Sequence, residues 1–147
     1  MKAVAYNIKP FEKEFLAKAN QKKHDITLIA NPLGHDTVIY AEGKDAVIVF
    51  TNDDVSASII KKLASLGVKY IVTRSAETGH IDKKAAAAYG IKISNIPSYP
   101  SQANISNETL QQVANQAIKN LDLWQLNKCV GKACACENDC RPPVSKA

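Results

Sequence analysis

Two stretches of this sequence hold residues whose types and spacing could do chemistry. The first is residues 74–82, "RSAETGHID", in which Arg74, Ser75, Glu77, Thr78, His80 and Asp82 can hydrogen-bond through their side chains. A polar loop of this kind suits an anion site, and the carboxylate of Glu77 at its centre poses two alternatives. The loop works, or it is a former site in which Glu77 stands where an anion once bound. His80 titrates near neutrality and could move a proton. It suits equally a loop histidine at the start of a helix.

The second stretch is "CVGKACACENDC", which holds all four cysteines: Cys129, Cys134, Cys136 and Cys140. The spacing C-x4-C-x-C-x3-C is not the paired C-x2-C frame usual for zinc knuckles. Four thiols so close together could still form a tetrahedral zinc or iron–sulfur ligand set. Two disulfides, Cys134 and Cys136 each joining Cys129 or Cys140, are the second reading, and a tail of unligated reactive thiols is the third.

The elements that must position these groups alternate along the chain. Short apolar or β-branched runs recur at 3–6, 26–30, 46–50, 70–73 and 91–94. They are apolar on both faces, as strands are when buried between two layers of helices. Between them, Phe11–Lys22 places Phe11, Phe15, Leu16 and Ala19 on one helical face. Ser56–Leu66 does the same with Ile59, Ile60, Leu63 and Leu66, and Gly67 and Gly90 are placed to end helices. A turn or two of helix is expected around Thr37–Glu42. Strand–helix alternation implies βαβ units and a parallel sheet, so the fold class is α/β, a three-layer flavodoxin-like sandwich with a five-stranded parallel sheet. The 74–82 loop then leaves the carboxyl end of the fourth strand, where such sheets bind ligands.

The last helix is the most regular. Leu110, Val113, Ala114, Ala117, Ile118, Leu121 and Trp124 recur at three- and four-residue steps. Ser106 is its expected cap, and Ile105 would staple onto Leu110. The stripe could pack on the sheet, or leave the domain to meet a partner. Composition changes after Trp124, which divides the chain into a domain at 1–124 and a Cys-rich tail at 125–147.

Charge and hydropathy exclude some classes. The net charge of +5 is carried by lysines, and Arg occurs only at 74 and 141. A nucleic-acid groove usually adds Arg and interleaved aromatics, so a solvated lysine face is expected and no nucleic-acid partner. No apolar run approaches the ~18 residues of a membrane span, and the N-terminus lacks the pattern of a signal peptide. A cytoplasmic location with no membrane partner is the expectation.

From 52 to 100 the chain reads "NDDVSASIIKKLASLGVKYIVTRSAETGHIDKKAAAAYGIKISNIPSYP". This resembles the substrate ("catalytic") domain of the D-2-hydroxyacid dehydrogenases, in particular their D-lactate dehydrogenase branch. The strings "GVKYIVTRSA", "HID" and "YGIKISNIPSY" carry the likeness, which runs more loosely from Met1 to about Trp124. The resemblance implies a flavodoxin-like domain followed by a separate Rossmann domain, with the active site between them. It implies that backbone N–H groups at Ala76 and Glu77, next to Ser75, hold the carboxylate of a small 2-oxo or 2-hydroxy acid. It places Phe50 where the lactate branch often has Tyr, and it matches Tyr99 to a substrate-pocket tyrosine. The position of Glu77 is usually Gly, whose bare backbone admits the anion. A Glu there implies several kcal/mol of repulsion at an effective dielectric near ~20. After Tyr99 the chain reads "PSQAN" where the family tends to Ser-Pro-Asn-Ala.

The six glycines, at 34, 43, 67, 79, 90 and 131, cannot form Gly-x-Gly-x-x-Gly. These residues therefore offer no dinucleotide fingerprint, and the family's catalytic Arg, Glu and His belong to its other domain. The expectation is a binding or interaction module that does not turn over alone, with no cofactor of its own. NAD would enter only if a Rossmann half completed the site in trans, and a thiol-based metal or redox module is the further alternative. Surface left bare by the absent domain is expected to find a partner: a homodimer through the helix at 107–124, or an unidentified protein.

Overall fold

The computed structural model describes residues 1–97 and 106–136. Five strands, β1 (Lys2–Ala5), β2 (Asp25–Leu28), β3 (Ala46–Val49), β4 (Tyr70–Thr73) and β5 (Lys92–Ser94), form one parallel sheet in the order β2-β1-β3-β4-β5. The register runs across the sheet through Thr27, Val4, Val47, Ile71 and Ile93. All four residues of β3 are buried, as a central strand covered on both faces requires. Strand β2 departs from the expected two-sided burial. It is an edge strand, so Asp25 and Thr27 face water while Ile26 and Leu28 are half-buried.

Helices cover both faces. On one lie α1 (Glu12–Asn20) and α4 (Asn107–Gln125); on the other lie a 3-10 turn at Val38–Ala41, α2 (Ala57–Ser65) and α3 (Lys83–Ala88). Helix α2 buries Ile59, Ile60 and Leu63 and stops at Gly67, whose φ of 99° is open to glycine at little cost. Helix α3 is capped by Asp82, whose carboxylate accepts from Ala85 N at 3.0 Å, and it is followed by Gly90 at φ 71°. Phe11 does not join the buried face of α1 as expected; it precedes the helix and is 58% exposed.

Helix α4 stays on the sheet. Ser106 caps it, accepting from Thr109 N at 3.2 Å, while Ile105 lies outside the described residues. Val113, Ala114, Ala117, Ile118, Leu121 and Trp124 are all buried, and Trp124 stacks on Tyr70 with ring centroids 4.7 Å apart. Burying a large apolar side chain contributes roughly 1.5–3 kcal/mol. That stripe is therefore committed inside the domain, which leaves the rest of the helix for the partner expected at 107–124.

The start of the Cys-rich tail also joins the sheet. After a 3-10 turn at Gly131–Ala133, Ala133 O accepts from Asn95 N and Ala135 N donates to Ile93 O, each at 2.9 Å. An antiparallel bridge between Ser94 and Cys134 thus covers the outer edge of β5. Among the described residues no helix is long and apolar enough to cross a membrane.

Candidate functional site

The polar residues singled out in the 74–82 loop take different roles. Arg74 turns back into the fold, with its side chain 4% exposed. Its Nε donates to Glu12 Oε2 at 3.1 Å, and its Nη1 and Nη2 donate to the carbonyls of Tyr6 and Asn7 at 3.2 Å. The guanidinium stands 5.5 Å from the centroid of the Phe50 ring. Arg74 thereby joins the ends of β1, β3 and β4, which flank the point where strand order reverses between β1 and β3.

Beyond Arg74 the chain fastens its carbonyls inward. Ser75 O accepts from Ile96 N at 2.9 Å, Ala76 O from Asn95 Nδ2 at 2.9 Å, and Glu77 O from Ser75 Oγ at 2.8 Å. In a trans peptide the following N–H points away from the carbonyl. The N–H groups of Ala76, Glu77 and Thr78 are thus directed away from those contacts, and they donate to no acceptor among the described residues. N–H groups without a protein acceptor are left for a ligand or water to answer. Glu77 itself is exposed. A buried acceptor close by, Asn95 Oδ1, also has no partner among the described residues.

A hydroxyl chain sets the loop's shape. Ser75 gives its single proton to Glu77 O, so the 2.7 Å contact between Thr73 Oγ1 and Ser75 Oγ has Thr73 as donor. His80 Nε2, 3.1 Å from Thr73 Oγ1, must then carry hydrogen and donate. Burial lowers the His80 pKa below its usual 6.5, and the nearby Glu77 carboxylate opposes that shift. His80 is thus a neutral, loop-supporting group near pH 7. The sequence marked it as a loop histidine or a proton carrier, and its hydrogen bond to Thr73 could not be read from spacing.

Phe50 follows β3, and its N–H donates to Asp53 Oδ2 at 2.7 Å, while Asp53 Oδ1 accepts from Leu33 N at 2.8 Å. Burial raises the Asp53 pKa, with those two bonds and the charges of Arg74 and Lys9 pulling the other way. Asp53 was not singled out in the sequence; the pairing "NDD" after a strand was the only signal. Tyr99 lies outside the described residues. The structure thus brings Phe50, Arg74 and the loop at Ser75–Glu77 to one edge of the sheet.

Beside them opens a cleft of about 310 Å³ between α1, α4 and the strand ends. Phe11, Phe15, Leu16, Leu110, Val113 and Ala114 form its apolar wall, and Asn7, Lys9, Glu12 and Arg74 lie on its polar side.

A dinucleotide does not fit these residues. The β1–α1 connection, Tyr6–Phe11, contains no glycine, and Glu12 Oε1 already accepts from Lys9 N at 2.9 Å at the start of α1. The place where a pyrophosphate would meet a helix N-terminus is taken by a carboxylate of the chain itself. The four-thiol site is likewise not assembled among the described residues. Cys134 packs against the cluster on the α1/α4 face and Cys136 against the cluster on the α2/α3 face. Cys136 Sγ accepts from Ile93 N at 3.2 Å, and Cys129 Sγ from Gly131 N at 3.4 Å. No group of three His, Cys, Asp or Glu side chains converges among the described residues, and Cys140 lies outside them.

Comparison with known proteins agrees with this fold. The family model for the D-isomer specific 2-hydroxyacid dehydrogenase catalytic domain matches residues 3–133. The 2-hydroxyacid dehydrogenase homolog 1 of Schizosaccharomyces pombe is 38% identical over 104 residues, which are 70% of this chain and 31% of that protein. The D-lactate dehydrogenase of Escherichia coli is 33% identical over 104 residues, 70% of this chain and 32% of its own. The apo-structure of the E. coli D-lactate dehydrogenase superposes with a TM-score of 0.66, covering 68% of this chain and 32% of that one. A structure of the pyruvate reductase of Chlamydomonas reinhardtii gives 0.65 at 36% identity, over 68% and 30%. The chain spans about a third of the length of the relatives it matches.

Proposed function

This chain belongs to the D-isomer specific 2-hydroxyacid dehydrogenase family through its catalytic domain, and we propose that it binds the carboxylate of a small 2-oxo or 2-hydroxy acid without reducing or oxidising it alone. The observation that carries this reading is the loop after β4. Its carbonyls are tied inward, its N–H groups at Ala76, Glu77 and Thr78 are left for an anion, and Glu77 is exposed. Hydride transfer needs a bound nicotinamide and a general acid–base group placed on the substrate. These residues supply the acid-binding loop, and a dinucleotide domain would have to bring the rest.

Completion in trans is the second reading, and the open loop favours it over a vestigial one. A dead remnant has no reason to keep the N–H groups clear, whereas a half-site awaiting a Rossmann domain does. Titrating ¹⁵N-labelled protein with pyruvate tests the first step. The amide signals of Ala76, Glu77 and Thr78 should move, and NADH mixed with pyruvate and this chain should not be oxidised above a blank. Signals that stay still under millimolar pyruvate would remove the binding role. Steady NADH oxidation would remove the claim of incompetence.

A further inference from the structure

We propose that two copies of this chain join edge to edge through β2, as a symmetric antiparallel pair that continues the sheet from one molecule into the next. The fold treats the edges of its sheet differently. Residues 133–136 cover β5, whereas β2 pairs with β1 alone among the described residues. Asp25 N donates to Met1 O and Ile29 N to Ala5 O, each at 3.0 Å. The direction of the backbone groups alternates along a strand, so those of His24, Ile26 and Leu28 face away from the sheet. Asn20 answers His24: its Oδ1 accepts from His24 N at 3.0 Å, and its Nδ2 donates to His24 O at 2.8 Å. The outward groups of Ile26 and Leu28 have no such partner among the described residues. Beyond them the chain bends at Ala30, which ends the open stretch.

That pattern selects both the occupant and the register. A two-fold axis at Thr27 sets Ile26 of each copy opposite Leu28 of the other, and facing residues of that kind exchange their N–H···O=C bonds. Every outward group of β2 is then answered. On the α1/α4 face, Ile26 and Leu28 are half-buried against the core, so each offers its remaining apolar surface to the other across the seam. On the opposite face Thr27 meets Thr27 of the second copy, with Asp25 and Thr27 both exposed. Lys44 Nζ lies 3.3 Å from Thr27 Oγ1. Asp25 of the second copy falls diagonally across from that Thr27, at about 7–8 Å between backbones, within reach of a long side chain. Lys44 of each copy therefore meets Asp25 of the other, once on each side of the axis. An edge guarded by lysine alone repels its own copy; this one carries the matching carboxylate in register.

Sedimentation equilibrium of the full chain tests this. A short seam makes a weak dimer, so the mass should climb from 16.0 kDa toward twice that value as concentration passes roughly 10–100 µM. Thr27→Lys, at an exposed position, sets like charges opposite each other on the axis and should raise the dissociation constant about tenfold or more. Asp25→Lys and Lys44→Asp should each raise it about three- to tenfold, and the two together should bring it back to within about twofold. In the dimer, amide exchange should slow at Ile26 and Leu28 and stay the same at His24, whose N–H Asn20 already holds. A mass that stays at 16.0 kDa up to about 1 mM overturns the proposal. So does a dimer that Thr27→Lys leaves intact, or one that is dissolved instead by Lys119→Glu on the exposed face of α4. Should Thr27→Lys lose its dispersed spectrum, the paired charge reversals still decide, because failure of the double variant to recover the dimer removes this register.

Discussion

Glu12 and Arg74 lie 62 residues apart in sequence and 3.1 Å apart in the fold, with side chains 19% and 4% exposed. The pair ties the start of α1 to the end of β4, and Arg74 also holds the carbonyls of Tyr6 and Asn7. Arg74→Met keeps most of the volume but leaves a half-buried carboxylate and two carbonyls unanswered. A loss of about 3 kcal/mol in urea unfolding is expected. Glu12→Gln keeps an acceptor and should cost less than about 1.5 kcal/mol. Equal small losses for both variants would show that the pair is merely a surface contact.

Glu77 was read from sequence as a like charge costing an incoming carboxylate several kcal/mol. Its exposed position changes the magnitude, because solvent and salt screen an exposed charge. Glu77→Gly should tighten pyruvate binding by about fivefold, on the order of 1 kcal/mol. Calorimetry at two ionic strengths would check it, the gain shrinking at high salt. No change at low salt would mean that the loop does not bind the anion.

His80 gives the loop a pH dependence with a defined sign. Its folded-state pKa is lowered from 6.5, first by burial, with Glu77 opposing. Its contribution to stability is therefore present above pH 6.5 and is lost as pH falls through the lower folded-state value. Following the His80 ring signals should give a midpoint below 6.5, and Glu77→Gly should depress it further by removing the opposing charge. Bound pyruvate should raise it, because a carboxylate at the loop favours imidazolium. Protonation adds a proton at Nδ1 and leaves the Nε2 bond to Thr73 intact. A midpoint above 6.5 in the unliganded protein would contradict the burial.

Most of the scaffold was legible because its signals are local. Four- and five-residue apolar runs became strands, Gly67 and Gly90 follow helix ends at positive φ, and Asp82 and Ser106 cap as their positions imply. For the candidate site, the expectations at Phe50 and Ser75–Glu77 came from the family resemblance. What sequence did not reveal depends on contacts between distant residues. Arg74 looked like a loop group but serves carbonyls at Tyr6 and Asn7. Phe11 fits the helical stripe of α1 by spacing, yet the helix begins one residue later and leaves it at the rim of the cleft.

The commitment of α4 to the sheet separates folding from assembly. Trp124 is 2% exposed and stacked on Tyr70, so Trp124→Ala should cost about 3–5 kcal/mol. Sedimentation of the folded variant should match that of the unaltered protein at the same concentration. A variant that keeps its stability but dissociates would give the helix the interface role expected from its sequence.

The segment carrying Cys134 and Cys136 makes the last prediction, because β5 depends on it. Without residues 133–136 the three-residue strand β5 would present an open edge, with Asn95 N and Ile93 O bare. Those groups are answered by Ala133 O and Ala135 N, and Ile93 N by Cys136 Sγ. Ala133 and Ala135 are themselves buried, on opposite faces of the sheet. Amide exchange should therefore be slow at Ala135 and Asn95, close to that of the sheet interior. Ala135→Pro deletes the donor to Ile93 O and should cost about 1–3 kcal/mol, with faster exchange at Asn95. Cys136→Ser should leave Asn95 protected, because backbone pairing rather than sulfur holds the segment. Exchange at Ala135 at the rate of an unstructured peptide would mean that this segment is not docked, and that β5 ends the sheet unaided.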